Sequence, residues 1–381
     1  MGPLQGTRVV ELAGIGPLPH AAMLLAELGA DVIRIDRPGW QPLGIPARHD
    51  LSLRGRPSLG VDLKDPRGVD LVRRLAGGAD VFLEGFRPGV AERLGLGPDD
   101  LRGAHRELIY GRMTGWGQSG PLAEHAGHDI DFIAVTGMLH AIGSTAEPAV
   151  PLNLVGDLGG GAMYLVVGVL AALLERVRSG EGQVIDAAIV DGTTHLGTAV
   201  FGLLAAGLWE DRRATNLIDG GTPYYAVYET RDGRHLAVGP LEDRFYDDFA
   251  ARIELAADAP DRSDRSRWPH LRQAIGDRIR TRDLADWIEA FDGSDSCVAP
   301  VLALSEAVAH PHLAARGTLV DVDGVVQPAP APRFSRTPGT LAPASAEVSA
   351  DPAHVLTQWG IDDAATLVEA GVVAAPPAEE R

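Results

Sequence analysis

Three short stretches of this 381-residue chain set proton-carrying side chains among glycines. In Gly127-His128-Asp129-Ile130 an imidazole directly follows a glycine, and histidine is the side chain best suited to exchange a proton near neutral pH. Read alone, His128 fits a hydrogen-bonded structural residue better than a catalyst. In Asn153-Leu154-Val155-Gly156-Asp157-Leu158-Gly159-Gly160-Gly161 an acid stands inside a glycine-rich segment, ahead of a strongly apolar stretch. Glycine permits close backbone approach, and a helix starting there offers unpaired amides to an anion or a developing enolate. Asp157 reads equally well as a simple helix cap. Glu242, in Gly239-Pro240-Leu241-Glu242, is either an ordinary first-turn acid or a carboxylate that orients an imidazole, as in acid/base pairs.

Other chemistries find less support. The histidines, His20, His49, His128, His140 and His195 among them, lack zinc spacing, and there is no His-Glu-x-x-His or calcium-loop pattern, so no metal is expected. Gly14-Ile15-Gly16 imitates a dinucleotide loop, but Pro19 stands where the last glycine is needed, and Asp36 does not rescue the motif. Cys297 is the sole cysteine, so an intrachain disulfide and a thiolate cluster are excluded. It reads as a small packing residue rather than a nucleophile.

The elements that must position these groups follow a β-α-β rhythm. Strands are expected at Arg8–Leu12, Asp31–Ile35, Asp80–Leu83, Leu108–Arg112 and Gln183–Ile189, with helices at Pro19–Leu28 and Asp65–Ala76. Several strands run into glycine-rich turns, such as Glu84-Gly85-Phe86-Arg87-Pro88-Gly89 and Thr114-Gly115-Trp116-Gly117. That pattern predicts an α/β fold, a mostly parallel sheet with ligand loops at its carboxyl ends. Composition changes after Leu208. Tyr224–Glu229 and Leu236–Val238 flank a hairpin turn at Arg231-Asp232-Gly233, and helices are expected from Arg244 onward and over Arg282–Phe291. The expected organisation is a large domain over 1–190, a linking helix and loop over 191–224, a smaller α+β domain over 225–320, and a connector with a return to the large domain over 321–381. Within the last stretch, Pro376–Arg381 reads as a frayed tail.

At 381 residues, two domains are a fair expectation. The formal charge is -18, from 34 basic and 52 acidic residues, and no basic tract offsets it, so nucleic acid is excluded as a partner. Nearly all the positive charge is arginine, with Lys64 the single lysine. Arginine suits phosphate because its planar fork binds bidentately. Ala162–Leu174 is apolar but short for a span, and reads as a buried helix rather than a membrane segment. With no signal-peptide pattern over Met1–Gly6 and one cysteine, a cytoplasmic location is expected.

Taken in order, Val9-Val10-Glu11-Leu12, Arg34-Ile35-Asp36-Arg37-Pro38, Val61-Asp62-Leu63-Lys64, Glu84-Gly85-Phe86-Arg87-Pro88-Gly89, Gly127-His128-Asp129-Ile130 and Asn153-Leu154-Val155-Gly156-Asp157 resemble the α-methylacyl-CoA racemases of the family III CoA-transferase superfamily. The resemblance runs from about residue 3 to about 315. It implies a Rossmann-like large domain, a smaller domain, and an interlocked homodimer whose sites form between the large domain of one chain and the small domain of the other.

The resemblance also implies roles. His128 and Asp157 match the two acid/base residues that racemise the α-carbon of 2-methylacyl-coenzyme A thioesters. Glu242 matches the acid that partners the histidine, and Asn153 a supporting polar residue. Arg37, Gly60, Val61, Asp62 and Leu63 (a predicted strand), Glu84, Gly85, Phe86, Arg87, Arg93 and the loop Gly127, Asp129, Ile130, Asp131 match coenzyme A-binding positions. Coenzyme A is part of the substrate, and no separate cofactor is implied. Asp131-Phe132 departs from the Asn-Tyr common in the family. Within the superfamily, transferases use an aspartate at the position of Asp157 as a nucleophile. They usually lack the loop histidine and carry glycines where this chain has Gly239-Pro240-Leu241-Glu242-Asp243. A non-catalytic coenzyme A-binding protein is the remaining alternative.

Overall fold

A computed structural model of the chain describes residues 2–39, 45–342 and 351–374. The tail expected at Pro376–Arg381 lies outside them. The described chain divides into two compact units. One comprises the described residues within 2–136, 152–196 and 317–374; the other comprises 137–151 and 197–316.

The first unit is built on six parallel strands: β1 (Arg8–Leu12), β2 (Asp31–Asp36), β3 (Ser58–Gly60), β4 (Val81–Glu84), β5 (Ile109–Thr114) and β6 (Val184–Ala188), in the order β3-β2-β1-β4-β5-β6. This order reverses direction between β1 and β4, which opens a crevice at the carboxyl ends of the strands. β1, β4 and β5 are buried on both faces, as strands covered by helices on both sides must be. One layer of core holds Val10, Leu12, Ile33, Leu59, Leu71, Leu75 and Phe82. The other holds Val9, Leu18, Leu25, Val81, Leu83, Ile109, Leu165 and Val169.

The strand expected over Gly60–Leu63 is displaced. Pairing with β2 ends at Gly60, and Val61 makes only an isolated bridge to Val373. The cause is local: Asp62 accepts from the Lys64 N–H through its side chain (2.9 Å) and from the Asp65 N–H through its carbonyl (3.1 Å), which turns the chain. Asp65 then caps the helix Pro66–Gly77, its carboxylate taking the Arg67 N–H at 2.9 Å. Residues after the second unit return to this sheet. Helices Pro352–Gln358 and Ala364–Glu369 bury Leu356, Trp359, Ile361 and Leu367 in its core.

The apolar stretch at 162–174 begins earlier and ends later than expected. A wide-turned helix over Leu154–Ala162, with the Leu158 N–H bonded to the Asn153 carbonyl five residues back, runs into the α-helix Met163–Ser179. Together they are long and apolar enough to cross a membrane by length and composition. Only one face is buried in the single chain, through Leu165, Val166, Val169 and Ala172, which pack on the sheet. The opposite face exposes Met163, Val167, Leu170, Leu174 and Val177. Their spacing alternates between four and three residues, which makes a continuous apolar seam.

The second unit carries the antiparallel sheet β7 (Ala226–Glu229), β8 (His235–Val238) and β9 (Val298–Pro300), in that order. Its helices Asp243–Arg252, Trp268–Ile279 and Leu284–Phe291 enclose Phe249, Leu271, Ile275, Trp287 and Phe291. Residues 137–151 belong to this unit although they precede the helix Met163–Ser179 in sequence. An interruption of that kind leaves no compositional mark.

Candidate active site

His128 is the N-cap of the helix Asp129–Val135, exposed, with its backbone extended. Its own N–H donates to Oδ2 of Asp131 at 3.0 Å. The acid at position 131 therefore fixes the backbone under the imidazole by the reciprocal half of a capping box. Phe132 is buried edge-on against Trp116, with ring centroids 4.8 Å apart. Both residues of the Asp131-Phe132 pair thus brace the loop.

Asp157 stands in the first turn of the wide helix, partly buried, and Asn153 is that helix's N-cap. Its backbone N–H donates to Oδ1 of Asp129 at 2.7 Å. Asn153 Nδ2 lies 3.5 Å from Asp157 Oδ2, at the limit of a hydrogen bond. Burial first, then the negative charge of Asp129, push the Asp157 carboxyl up to about 6, against the opposing pull of the Asn153 amide and the positive charge of His128. A carboxyl poised there both gives and takes a proton near neutrality. His128, Asp129, Asn153 and Asp157 are thus brought into one site.

The amides nearest Asp157 are already engaged: its own by Asp129, and that of Leu158 by the Asn153 carbonyl. In the helix Asp129–Val135 the Asp131 and Phe132 N–H groups already donate to the His128 carbonyl, at 2.9 and 3.2 Å, so the amides left ahead of the first backbone bond are those of Asp129 and Ile130. Glycine is required at two places around the carboxylate. Gly16 adopts φ +68°, and a Cβ there would stand 2.8 Å from Asp157 Oδ2. A Cβ on Gly156 would collide with Asp129 Oδ1.

A second cluster lines a cavity of about 670 Å³ at the carboxyl ends of β1, β2 and β3. Its walls include Leu12, Asp36, Arg37, Val61, Asp62, Leu63, Lys64 and Phe86. Arg37 and Lys64 bring positive charge to the rim of an acidic protein. Gly60 does not line the cavity, and its carbonyl accepts from the Ala374 N–H at 2.8 Å. Arg93 closes the short helix Val90–Arg93, whose Val90 and the following Leu94 also line the cavity. Arg87 and Gly85 are exposed on the loop between β4 and that helix, and Ile130 is exposed beside His128.

Glu84 is placed differently from a ligand contact. Its side chain is fully buried, with Oε2 accepting the Phe86 N–H at 2.7 Å and Oε1 accepting from Arg112 Nε at 2.9 Å. Burial pushes its carboxyl up to about 7 against those two donors. Arg112 also reaches Glu92 at 2.8 Å, so it ties β4 to the Val90–Arg93 helix. Glu84 therefore sets the conformation of the Gly85–Phe86 backbone. Asp36 is likewise occupied, by Arg34 Nε at 2.8 Å and by the Ser58 hydroxyl, and is not free for a ribose. Beneath it, Glu11 takes Arg34 at 2.6 Å and Arg56 at 2.7 Å, all three fully buried or nearly so.

Glu242 lies in the second unit, exposed, as N-cap of the helix Asp243–Arg252, with its carbonyl accepting from the Phe245 and Tyr246 N–H groups. In the same unit Cys297 is exposed, and burial followed by the charges of Glu242 and Asp295 raises its thiol. Among the described residues, no group of three or more His, Cys, Asp or Glu side chains is arranged to hold a metal ion. Sequence reasoning named Lys64 and Gly16 without giving either a place in the site, and gave Arg112 none beyond a strand end. The one available signal was Lys64, a single lysine in an arginine-based chain.

Known proteins resemble this chain in sequence and in fold. Residues 4–351 match the family described as CoA-transferase family III. The chain is 43% identical to human alpha-methylacyl-CoA racemase over 340 residues, 88% of this chain and 87% of that protein. It is 41% identical to the mouse alpha-methylacyl-CoA racemase over 361 residues, covering 94% and 93%. The fold matches the crystal structure of a CAIB/BAIF family protein from Brucella suis with a TM-score of 0.81 at 27% identity, covering 94% of this chain and 99% of that one.

Proposed function

The chain belongs to CoA-transferase family III, and from that premise we propose that it racemises the α-carbon of 2-methylacyl-CoA thioesters. The observation that carries this reading is the meeting of His128, at a helix start, with Asp157, whose carboxyl is poised at about 6. Such chemistry needs two groups that exchange protons near neutral pH on opposite faces of one carbon. The identity to two alpha-methylacyl-CoA racemases across most of the chain supports it.

The thioester carbonyl acidifies the α-proton by spreading charge onto oxygen. His128 removes the proton of the S epimer and Asp157 that of the R epimer, and the other group reprotonates the planar enolate from the opposite face. Helix-start amides beside His128 stabilise the enolate oxygen. No electrons are transferred, so no redox cofactor enters. Arg37 and Lys64 hold the anionic end of coenzyme A at the carboxyl edge of the sheet. Glu242 orients the imidazole of a partner chain in a homodimer. The exposed seam Met163–Val177 supports a second copy as its cover.

The test is incubation of each pure epimer of a 2-methylacyl-CoA in deuterated water, following configuration and isotope separately. Racemisation with α-deuterium uptake is expected. In Asp157→Asn exchange survives from the S epimer, and in His128→Ala from the R epimer, while inversion is lost in both. Transfer of coenzyme A to a free acid without α-exchange would replace this reading by a transferase with Asp157 as nucleophile.

A further inference from the structure

We infer that Asp129 is a positioning residue that ties the loop carrying His128 to the turn carrying Asp157. The inference rests on the reading that these two groups move the α-proton. Asp129 follows His128 directly in the chain, and its Oδ1 accepts the backbone N–H of Asp157 at 2.7 Å. One carboxylate therefore spans from the residue beside one proton-transfer group to the main chain of the other. A two-base reaction requires that separation to be held closely, because a small misplacement of either group costs orders of magnitude in rate.

Two further observations show that the contact is built in. Asp129 is only 9% exposed, and its second oxygen, Oδ2, is buried without a hydrogen-bond partner. Folding alone does not favour a half-satisfied buried carboxylate, since a small apolar residue removes the unmet acceptor altogether. The neighbouring chain is also cut to fit. Residue 156 is glycine, and any side-chain carbon there would collide with Oδ1. The glycine immediately before Asp157 thus lets the acid approach the amide it holds.

The test uses the full chain as wild type, Asp129→Ala, Asp129→Asn, Gly156→Ala and the pair Asp129→Ala/Gly156→Ala. Each protein is checked for native circular dichroism and oligomeric state. Inversion and α-deuterium uptake are then measured from each pure 2-methylacyl-CoA epimer, with kcat and KM determined separately. In Asp129→Ala, kcat for inversion is expected to fall about 100-fold, with KM within about threefold of wild type. Asp129→Asn keeps an oxygen able to accept the same N–H, and is expected to return to within about tenfold of wild type. Gly156→Ala breaks the contact from the other side and should reproduce Asp129→Ala, and the pair should be no worse than either single change. Near-wild-type inversion in Asp129→Ala overturns the inference. So does a folded Asp129→Asn as defective as the alanine variant, or losses that add in the pair. If Asp129→Ala does not fold, Asp129→Asn and Gly156→Ala decide the matter by themselves. Absence of α-deuterium uptake in the wild type sinks the racemase reading and the tie with it, whereas uptake with an indifferent Asp129→Ala sinks the tie alone.

Discussion

Gly16 and the carboxylate of Asp157 are packed so closely that a Cβ on the glycine would stand 2.8 Å from Oδ2. The loop after β1 thus packs against Asp157 and walls the proposed proton-transfer site, although its glycines superficially resemble a nucleotide-binding turn. Gly16→Ala must both strain a backbone at φ +68° and displace the carboxylate. The backbone cost is about 1–2 kcal/mol. The expected outcome is a folded protein whose kcat for inversion is down roughly 100-fold, with coenzyme A affinity little altered. Steady-state kinetics beside a coenzyme A titration checks this, and full activity would remove Gly16 from the wall.

The pH dependence follows from the raised carboxyl. In the proposed mechanism Asp157 takes the proton of the R epimer in its ionised form, so α-exchange from that epimer should fall as pH drops through about 6. Stability moves in the opposite sense. A carboxyl raised from 3.8 to about 6 on folding disfavours the folded state as it ionises. The penalty is absent below the unfolded value and complete above about 6. Asp157→Asn should therefore raise Tm at pH 8 and confer no such gain at pH 3.5. After allowance for solvent screening of a partly exposed group, the gain is about 1–2 kcal/mol. Thermal melts at the two pH values decide it, and an equal gain at both would refute the electrostatic origin.

Arg37 lines the cavity proposed to hold the anionic end of coenzyme A, within a protein of formal charge -18. Arg37→Ala should raise the Kd for coenzyme A about tenfold, or ~1.4 kcal/mol, and weaken its dependence on salt. Lys64→Ala should act in the same direction and less strongly, as the loss of a point charge rather than a bidentate fork. Isothermal titration at two ionic strengths is the measurement, and unchanged affinity in Arg37→Ala would exclude the residue from the site.

The seam on the helix Met163–Ser179 offers a test of assembly. Val167→Glu with Leu174→Glu places two charges on the exposed apolar line without touching the buried face. Analytical ultracentrifugation should show a dimer for the wild type and a shift to inactive monomer for the variant. A wild-type monomer active at assay concentration would defeat the shared-site proposal.

Much of the sheet was legible because its strands are short apolar runs closed by glycine turns. Arg8–Leu12 is found as expected, and Asp31–Asp36 and Val81–Glu84 within a residue at their ends. The strand order was not legible, since it is set by crossover packing rather than by any one segment. The wide turn of Leu154–Ala162 was missed because its glycines read as loop, while five-residue backbone bonding follows from packing around Gly156 and Gly160. At the site, the residue types alone left His128 reading as a structural residue and Asp157 as a possible helix cap, and only the family resemblance gave them proton-transfer roles. That Asp129 grips the Asp157 amide, and that Glu84 turns inward, depend on side-chain direction, which a sequence does not carry.

The edge of the parallel sheet has a temporal consequence. β3 is closed off by Val373 and Ala374, and Arg8 donates to the Gln358 carbonyl 350 positions away. During translation the first five strands emerge long before these closing residues. At about 10 residues per second the interval is roughly half a minute. Throughout it, Val61 and Gly60 lack the bridge to Val373 and the Ala374 N–H that they have in the folded chain. On the proposed placement of coenzyme A beside Val61 and Lys64, truncation before Val373 should weaken coenzyme A binding before it disturbs the surroundings of His128 and Asp157.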